Sequence, residues 1–239
     1  MIELLKKNEQ VYGEFNGGEI YENKPIGFPG ESSSSKAYSN LFYWAHASAK
    51  VDSTIGLHPH KGFEIMTFVL NGSIKHYDTL IDKWIELEKG DIQLIQSGSG
   101  ISHSEFMKKD SSIFQIWFDP NLSKTMYQEP KYEDFKAKKF KTINHKKLFV
   151  GKNAPIKIES ENVEIYELFL DDNYKIKLDK NFYYSIYLIN GSAYLNDIKL
   201  EANDFIKVQN ETVLDFQIED SCCFFIISSP IKTTYKTYI

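Results

Sequence analysis

The sequence predicts an all-β protein built as two similar β-barrels in tandem. Short runs rich in β-branched and aromatic residues dominate the 239 residues, and long helical periodicity is nearly absent. Gly, Asn, Asp and Ser punctuate those runs at close intervals. The same landmarks also occur twice. Asn71-Gly72-Ser73 returns as Asn190-Gly191-Ser192, 119 positions on (190 − 71). The stretch from Leu87 to Ile92, Leu-Glu-Lys-Gly-Asp-Ile, returns as Leu-Glu-Ala-Asn-Asp-Phe from Leu200 to Phe205, 113 positions on (200 − 87).

In chain order, residues 63–70 and 73–78 read as two strands joined by Asn71-Gly72, the strongest short hairpin signal. Residues 84–87 and 92–95 flank the Lys89-Gly90-Asp91 turn, and 113–118 is a further strand. The segment 119–139, rich in Pro, Asn, Ser and charge, reads as the crossing to a second copy that includes the strand 182–189. Two domains are expected, residues 1–133 and 134–239. The lysine-rich stretch Lys136 to Lys141 is expected to be a solvated linker or strand edge.

Hydrophobic content of 42% and aromatic content of 15% support a real core, and a net charge of −5 argues against nucleic-acid binding through a basic surface. The two cysteines, Cys222 and Cys223, are adjacent. Neighbours on a strand point to opposite faces, so one is expected in the core, one outside, and no disulfide between them. No apolar stretch of signal-peptide or membrane-spanning length occurs, and a reducing, cytoplasmic setting is expected.

The chemistry concentrates in His58-Pro59-His60-Lys61-Gly62-Phe63-Glu64 and in His103-Ser104-Glu105. Each holds a pair of candidate ligands at i, i+2, and on a strand such a pair points to one side. Two such strands meeting inside a barrel bring three imidazoles and one carboxylate to a point. That set suits one divalent transition metal: Fe, Mn, Co, Ni, Cu or Zn. At the repeat offsets His58 and His60 fall on Lys177 and Asp179, and His103 and Glu105 fall on Phe216 and Ile218. The metal is therefore expected in the N-terminal domain only, with 134–239 a degenerate copy.

Other residues take supporting roles. Glu64 shares the parity of His58 and His60, and is expected either to hydrogen-bond a ligand histidine or to point outward. Met66 and Phe68 continue that parity as candidate cavity walls, or as barrel core, and Gln115 with Trp117 carry the same two readings. Ser97-Gly98-Ser99-Gly100 reads as a tight turn delivering His103. His76, in a polar His-Tyr-Asp segment, is expected to be exposed.

These blocks, with Val69 to Asp78, Gly90-Asp91-Ile92-Gln93, Ser97 to Glu105 and Gln115-Ile116-Trp117, resemble the pirin family of the bicupin fold. The resemblance implies two cupin-type barrels and assigns His58, His60, His103 and Glu105 as ligands of a metal, usually iron. It implies a dioxygenase acting with O2 on a flavonol such as quercetin, or on a related enol-bearing aromatic. The alternative it implies is an iron-dependent, redox-responsive transcriptional co-regulator acting through a protein partner. Glu105 is read either as a base that takes a proton from an incoming hydroxyl or as a purely structural fourth ligand. The segment Ser39-Asn40-Leu41-Phe42-Tyr43-Trp44 departs from the Asp-His-Phe element common in that family, beside the expected pocket. Two barrels in one chain mimic a cupin dimer, and a monomer is expected, with neither nucleic acid nor membrane as partner.

Overall fold

The computed structural model describes residues 1–31 and 36–238. In chain order the strands begin β1 (Ile2–Leu5), β2 (Val11–Phe15), β3 (Ile20–Ile26), β4 (Leu41–Ala49), β5 (Ser53–His60), β6 (Glu64–Asn71) and β7 (Ser73–Asp78). They continue with β8 (Trp84–Glu88), β9 (Ile92–Gln96), β10 (Ile101–Met107), β11 (Ser112–Phe118), β12 (Lys131–Phe135), β13 (Thr142–Ile143), β14 (Lys146–Val150) and β15 (Glu164–Leu170). The series closes with β16 (Tyr174–Lys177), β17 (Phe182–Asn190), β18 (Ser192–Leu195), β19 (Ile198–Glu201), β20 (Phe205–Val208), β21 (Val213–Ile218) and β22 (Cys222–Pro230). Among the described residues the single α-helix, α1, is one turn at Leu122–Thr125. No helix is long and apolar enough to cross a membrane.

The chain forms two compact units, residues 10–139 with the tail from Tyr235, and residues 1–9 with 140–234. This departs from the expected 133/134 boundary at both ends. Phe135 still pairs with Ile92, and Lys136 lies 2.9 Å from Asp91, so the chain stays in the N-terminal barrel to residue 139. Ile2 to Leu5 pair with Val208 to Phe205 instead of with the N-terminal barrel. That partner lies some two hundred positions away, where no local pattern reveals it.

The N-terminal barrel has a seven-stranded sheet, β12-β9-β6-β11-β4-β3-β2, and a four-stranded sheet, β5-β10-β7-β8. The C-terminal barrel repeats the plan strand for strand, as β1-β20-β17-β22-β15-β14-β13 and β16-β21-β18-β19. The repeat read from the two Asn-Gly-Ser turns is thus present in the architecture. Its registers correct one detail: Tyr174 lies opposite Phe216, so Tyr174 and Ile176 take the places of His58 and His60, which fixed-offset counting gives to Lys177 and Asp179. Cys222 and Cys223 are both buried, contrary to the one-in, one-out expectation. Their strand β22 is flanked by β17 and β15 and buried along its whole length, so both alternating faces are covered.

Inside the N-terminal barrel the side chains lie in layers. One end is apolar: Ala47, Val69, Ile74, Met107 and Ile113. The other is apolar and aromatic: Phe42, Tyr43, Ile65, Ile95, Ile101 and Trp117. Between them, two residues along each strand, sit Thr67, Gln93, Gln115, His76, Asp78, His103 and Glu105. The period of two in a strand places Gln115 between Ile113 and Trp117, and Thr67 between Ile65 and Val69.

Candidate metal centre and cavity

β5 and β10 run antiparallel with His58 opposite His103 and Ile101 opposite His60. Residues facing each other in this way share a face, so His58, His60 and His103 converge. The rings of His58, His60 and His103 form a near-equilateral triangle with centroid separations of 4.8, 4.4 and 4.6 Å. One ligand nitrogen from each lies within 4.8 Å of the others.

The turn before β10 has the expected form: the Gly100 amide donates to Ser97 O at 2.9 Å, and the Ser97 hydroxyl to Phe63 O at 2.7 Å. Gly98 is required there, since a Cβ would fall 2.4 Å from Gln128 O at a φ of +50°.

Glu105 adjoins the triangle rather than completing it. It is fully buried, with Oε1 3.1 Å from His103 Nδ1 but off the line of a hydrogen bond. Gln115 Nε2 donates to the same Oε1 at 2.9 Å, and Trp117 Nε1 donates to Gln115 Oε1 at 3.3 Å. This relay fixes one carboxylate oxygen and leaves Oε2 without a partner.

The His58 ring nitrogen Nδ1 lies 2.7 Å from Gly56 O. A carbonyl only accepts, so Nδ1 carries the proton and Nε2 keeps its lone pair. Burial, then the neighbouring imidazoles His103 and His58, push His60 down to about 3. Burial, then His58, push His103 down to about 2. Both are therefore neutral, the form that binds metal. Burial raises the Glu105 carboxyl above its ordinary range.

Buried polar atoms without partners are rare. Here His60 Nε2, both nitrogens of His103 and Glu105 Oε2 are all of that kind. A cation would engage lone pairs that nothing else engages, and three imidazoles with a carboxylate fit a divalent transition metal.

Other expectations are corrected. His76 is fully buried, contrary to its expected exposure. It shares a face of β7 with Ile74 and Asp78, stacks on Tyr132 at 4.6 Å, and its Nε2 lies 2.7 Å from Asp78 Oδ2. The alternation with buried Ile74 was the available signal. Glu64 shares a face of β6 with Met66 and Phe68, opposite to that of Ile65 and Val69, so it points away from the barrel interior; there it is 1% exposed and accepts a hydrogen bond from Gln96 at 2.8 Å. Met66 and Phe68 are buried but do not line the cavity. The chain changes sheet between β5 and β6 at Gly62, whose φ of +85° breaks the parity count carried forward from His58.

A cavity of about 280 Å³ opens beside His58, His60 and Glu105, which line it. Gln115 and Trp117 line it, as one reading of their shared face expects, together with Phe28, Tyr43, Glu22 and Ile55. Phe28 stacks on Tyr43 at 4.2 Å and meets Trp117 edge-on at 5.1 Å, giving an aromatic box beside the imidazoles. Tyr43 belongs to the segment that departs from the Asp-His-Phe element. Phe28 and Glu22 carry no motif that sequence reading could have used.

Comparisons place this geometry. Residues 32–118 match the Pirin family model. A putative quercetin 2,3-dioxygenase of Zymomonas mobilis is 40% identical over 82 residues, 34% of each chain. The quercetin 2,3-dioxygenase of Escherichia coli K12 is 26% identical over 174 residues, covering 69% of this chain and 71% of the relative. The crystal structure of YhhW from Escherichia coli superposes with a TM-score of 0.83 at 22% identity, covering 98% of this chain and all of that one. A second structure, titled as the bacterial pirin YhhW in complex with nickel(II), superposes equally well, with a TM-score of 0.83 and 96% of this chain covered. The fold is that of two tandem cupin-type barrels, and the chain carries a pirin-family domain over residues 32–118.

Proposed function

We propose that the protein is a mononuclear-metal dioxygenase of the pirin type, acting with O2 on a flavonol such as quercetin or a related enol-bearing aromatic. His58, His60, His103 and Glu105 would hold the metal, with Fe(II) first among Fe, Mn, Ni, Co, Cu and Zn. One observation carries the reading: three imidazoles converge, with unengaged nitrogens, at the wall of an aromatic-lined cavity.

Bound there, such an ion supplies Lewis acidity and one-electron chemistry with O2. The remaining roles belong to the chain. Phe28, Tyr43 and Trp117 hold a flat ring and exclude water. Gln115 fixes Oε1 of Glu105, leaving Oε2 for the metal or for a proton from the substrate hydroxyl. Burial makes this carboxylate more basic than an exposed one, as a general base requires.

The test is oxygen uptake with quercetin by protein of known metal content. Metal-dependent uptake is expected, with a large loss in Glu105→Ala that retains metal. No uptake by fully loaded protein, with quercetin or other enol-bearing aromatics, would overturn the reading in favour of an iron-responsive binding protein.

A further inference from the structure

The cavity has a second polar element, Glu22, contributed by β3. Glu22 pairs with Ala47 on β4, and Ala47 with Ile113 on β11. Glu22 therefore stands two strand spacings, about 10 Å, from the strand that carries Gln115. Its side chain lines the cavity although the residue is only 6% exposed. Lys24 Nζ lies 3.2 Å from Oε1, and the Tyr43 hydroxyl donates to Oε2 at 3.0 Å. Lys24 is shared with Glu31, which also accepts the Phe28 amide at 2.8 Å.

Two carboxylates thus divide one ammonium, and the group holds more acceptor sites than donors. Burial and Glu22 itself raise the Tyr43 phenol well above its ordinary range, so that proton stays in place as a donor. Across the pairing with β2, a Cβ at Gly13 would come 2.5 Å from Glu22 Oε1, so a side chain there would displace this carboxylate. Phe15, Glu22 and Phe28 all precede residue 32, outside the stretch that matches the family model.

We propose that Glu22 is a specificity determinant, accepting a hydrogen bond from a phenolic hydroxyl on the ligand ring farthest from the three histidines. The proposal rests on the aromatic-ligand reading above. Lys24 disfavours a cationic group at this position, and the flanking Phe28 and Tyr43 rings favour an aromatic carrier. Each Glu22 oxygen keeps acceptor capacity beyond its contact with Lys24 or Tyr43, and a polar site that matches a ligand hydroxyl discriminates more strongly than an apolar wall does.

Calorimetric titration of the metal-loaded full chain without oxygen tests this by binding alone. The probes are quercetin and galangin, which share the fused rings and differ only in hydroxyls on the pendant ring. Quercetin is expected to bind about 10- to 100-fold more tightly. The ratio should fall at least threefold in Glu22→Gln and approach one in Glu22→Leu, with galangin affinity nearly unchanged. Tyr43→Phe, which keeps the carboxylate, should preserve most of the preference. An unchanged ratio in Glu22→Gln, or in a Glu22→Leu protein that still binds galangin, overturns the proposal and leaves the dioxygenase reading standing. Failure of the loaded wild-type protein to bind either flavonol overturns both.

Discussion

At the centre of the N-terminal barrel His103 lies between His58 and Asp78; at the same place in the C-terminal barrel Phe216 lies between Tyr174 and Leu195. The substitution runs through the whole layer. Following the registers, Glu105 corresponds to Ile218, His76 to Ala193 and His60 to Ile176. On the facing sheet Thr67, Gln93 and Gln115 correspond to Ile186, Ile206 and Ile226. Ile186, Ala193, Ile206, Phe216 and Ile226 belong to one apolar cluster with Leu214 and Phe224, against which Tyr174, Ile176 and Ile218 pack. The backbone plan is indifferent to whether this layer is polar or apolar. An apolar filling stabilises by burial, whereas a polar filling costs desolvation unless every group is matched. Four of the unmatched atoms, on His60, His103 and Glu105, lie where a cation would sit, so the N-terminal barrel has given up cohesion for a site.

Exchanging residues between the barrels tests that contrast. His103→Phe, which installs the counterpart of Phe216, should drop bound metal from about one per chain to near zero by elemental analysis, with turnover lost. Retained stoichiometric metal would break the assignment. Phe216→Ala should cost about 3–5 kcal/mol in urea unfolding while leaving metal content unchanged; a loss below 1 kcal/mol would show that this layer does not carry the core.

Acid should act on the metal-free N-terminal layer. His60 and His103 stay neutral to about pH 3 and 2 when folded. The unfolded chain binds those protons near pH 6.5, so stability should fall as pH drops below about 6.5 and be insensitive to these groups above it. The slope is at most about 1.4 kcal/mol per pH unit for His103, and less for the partly exposed His60. Urea midpoints at pH 7 and 5 should therefore converge in His103→Phe; equal losses in both proteins would refute the linkage. Gln115→Ile, the counterpart of Ile226, should be the mildest exchange, weakening metal affinity about 10-fold by freeing Glu105. Unaltered affinity would show that the Trp117–Gln115 relay has no orienting role.

The convergence of the three histidines was legible because i, i+2 on a strand is a local property that tertiary context preserves. The tandem repeat was legible because each Asn-Gly turn fixes a hairpin. Cavity walls were not. Parity is lost at Gly62, where the chain leaves one sheet for the other, so Met66 and Phe68 were drawn into a wall that Tyr43 and Phe28 build. His76 was misread because Tyr77 and the charges around it describe the outer face of β7, not the inner. Glu22 had no signal at all, since its place in the cavity comes from strand order.

Two contacts between segments far apart in sequence bear on how the protein is made. Ile2 to Leu5 complete a sheet whose partner strand begins at Phe205, and Tyr238 packs on Phe42 and Phe63 at 5.6 and 5.7 Å. On a ribosome adding about 5–20 residues per second, Ile2 to Leu5 wait for β20, and the N-terminal barrel waits for Tyr238 before its aromatic end closes. Its histidines are all translated by residue 103, so metal can meet an open, incompletely packed site while the second barrel is still being made.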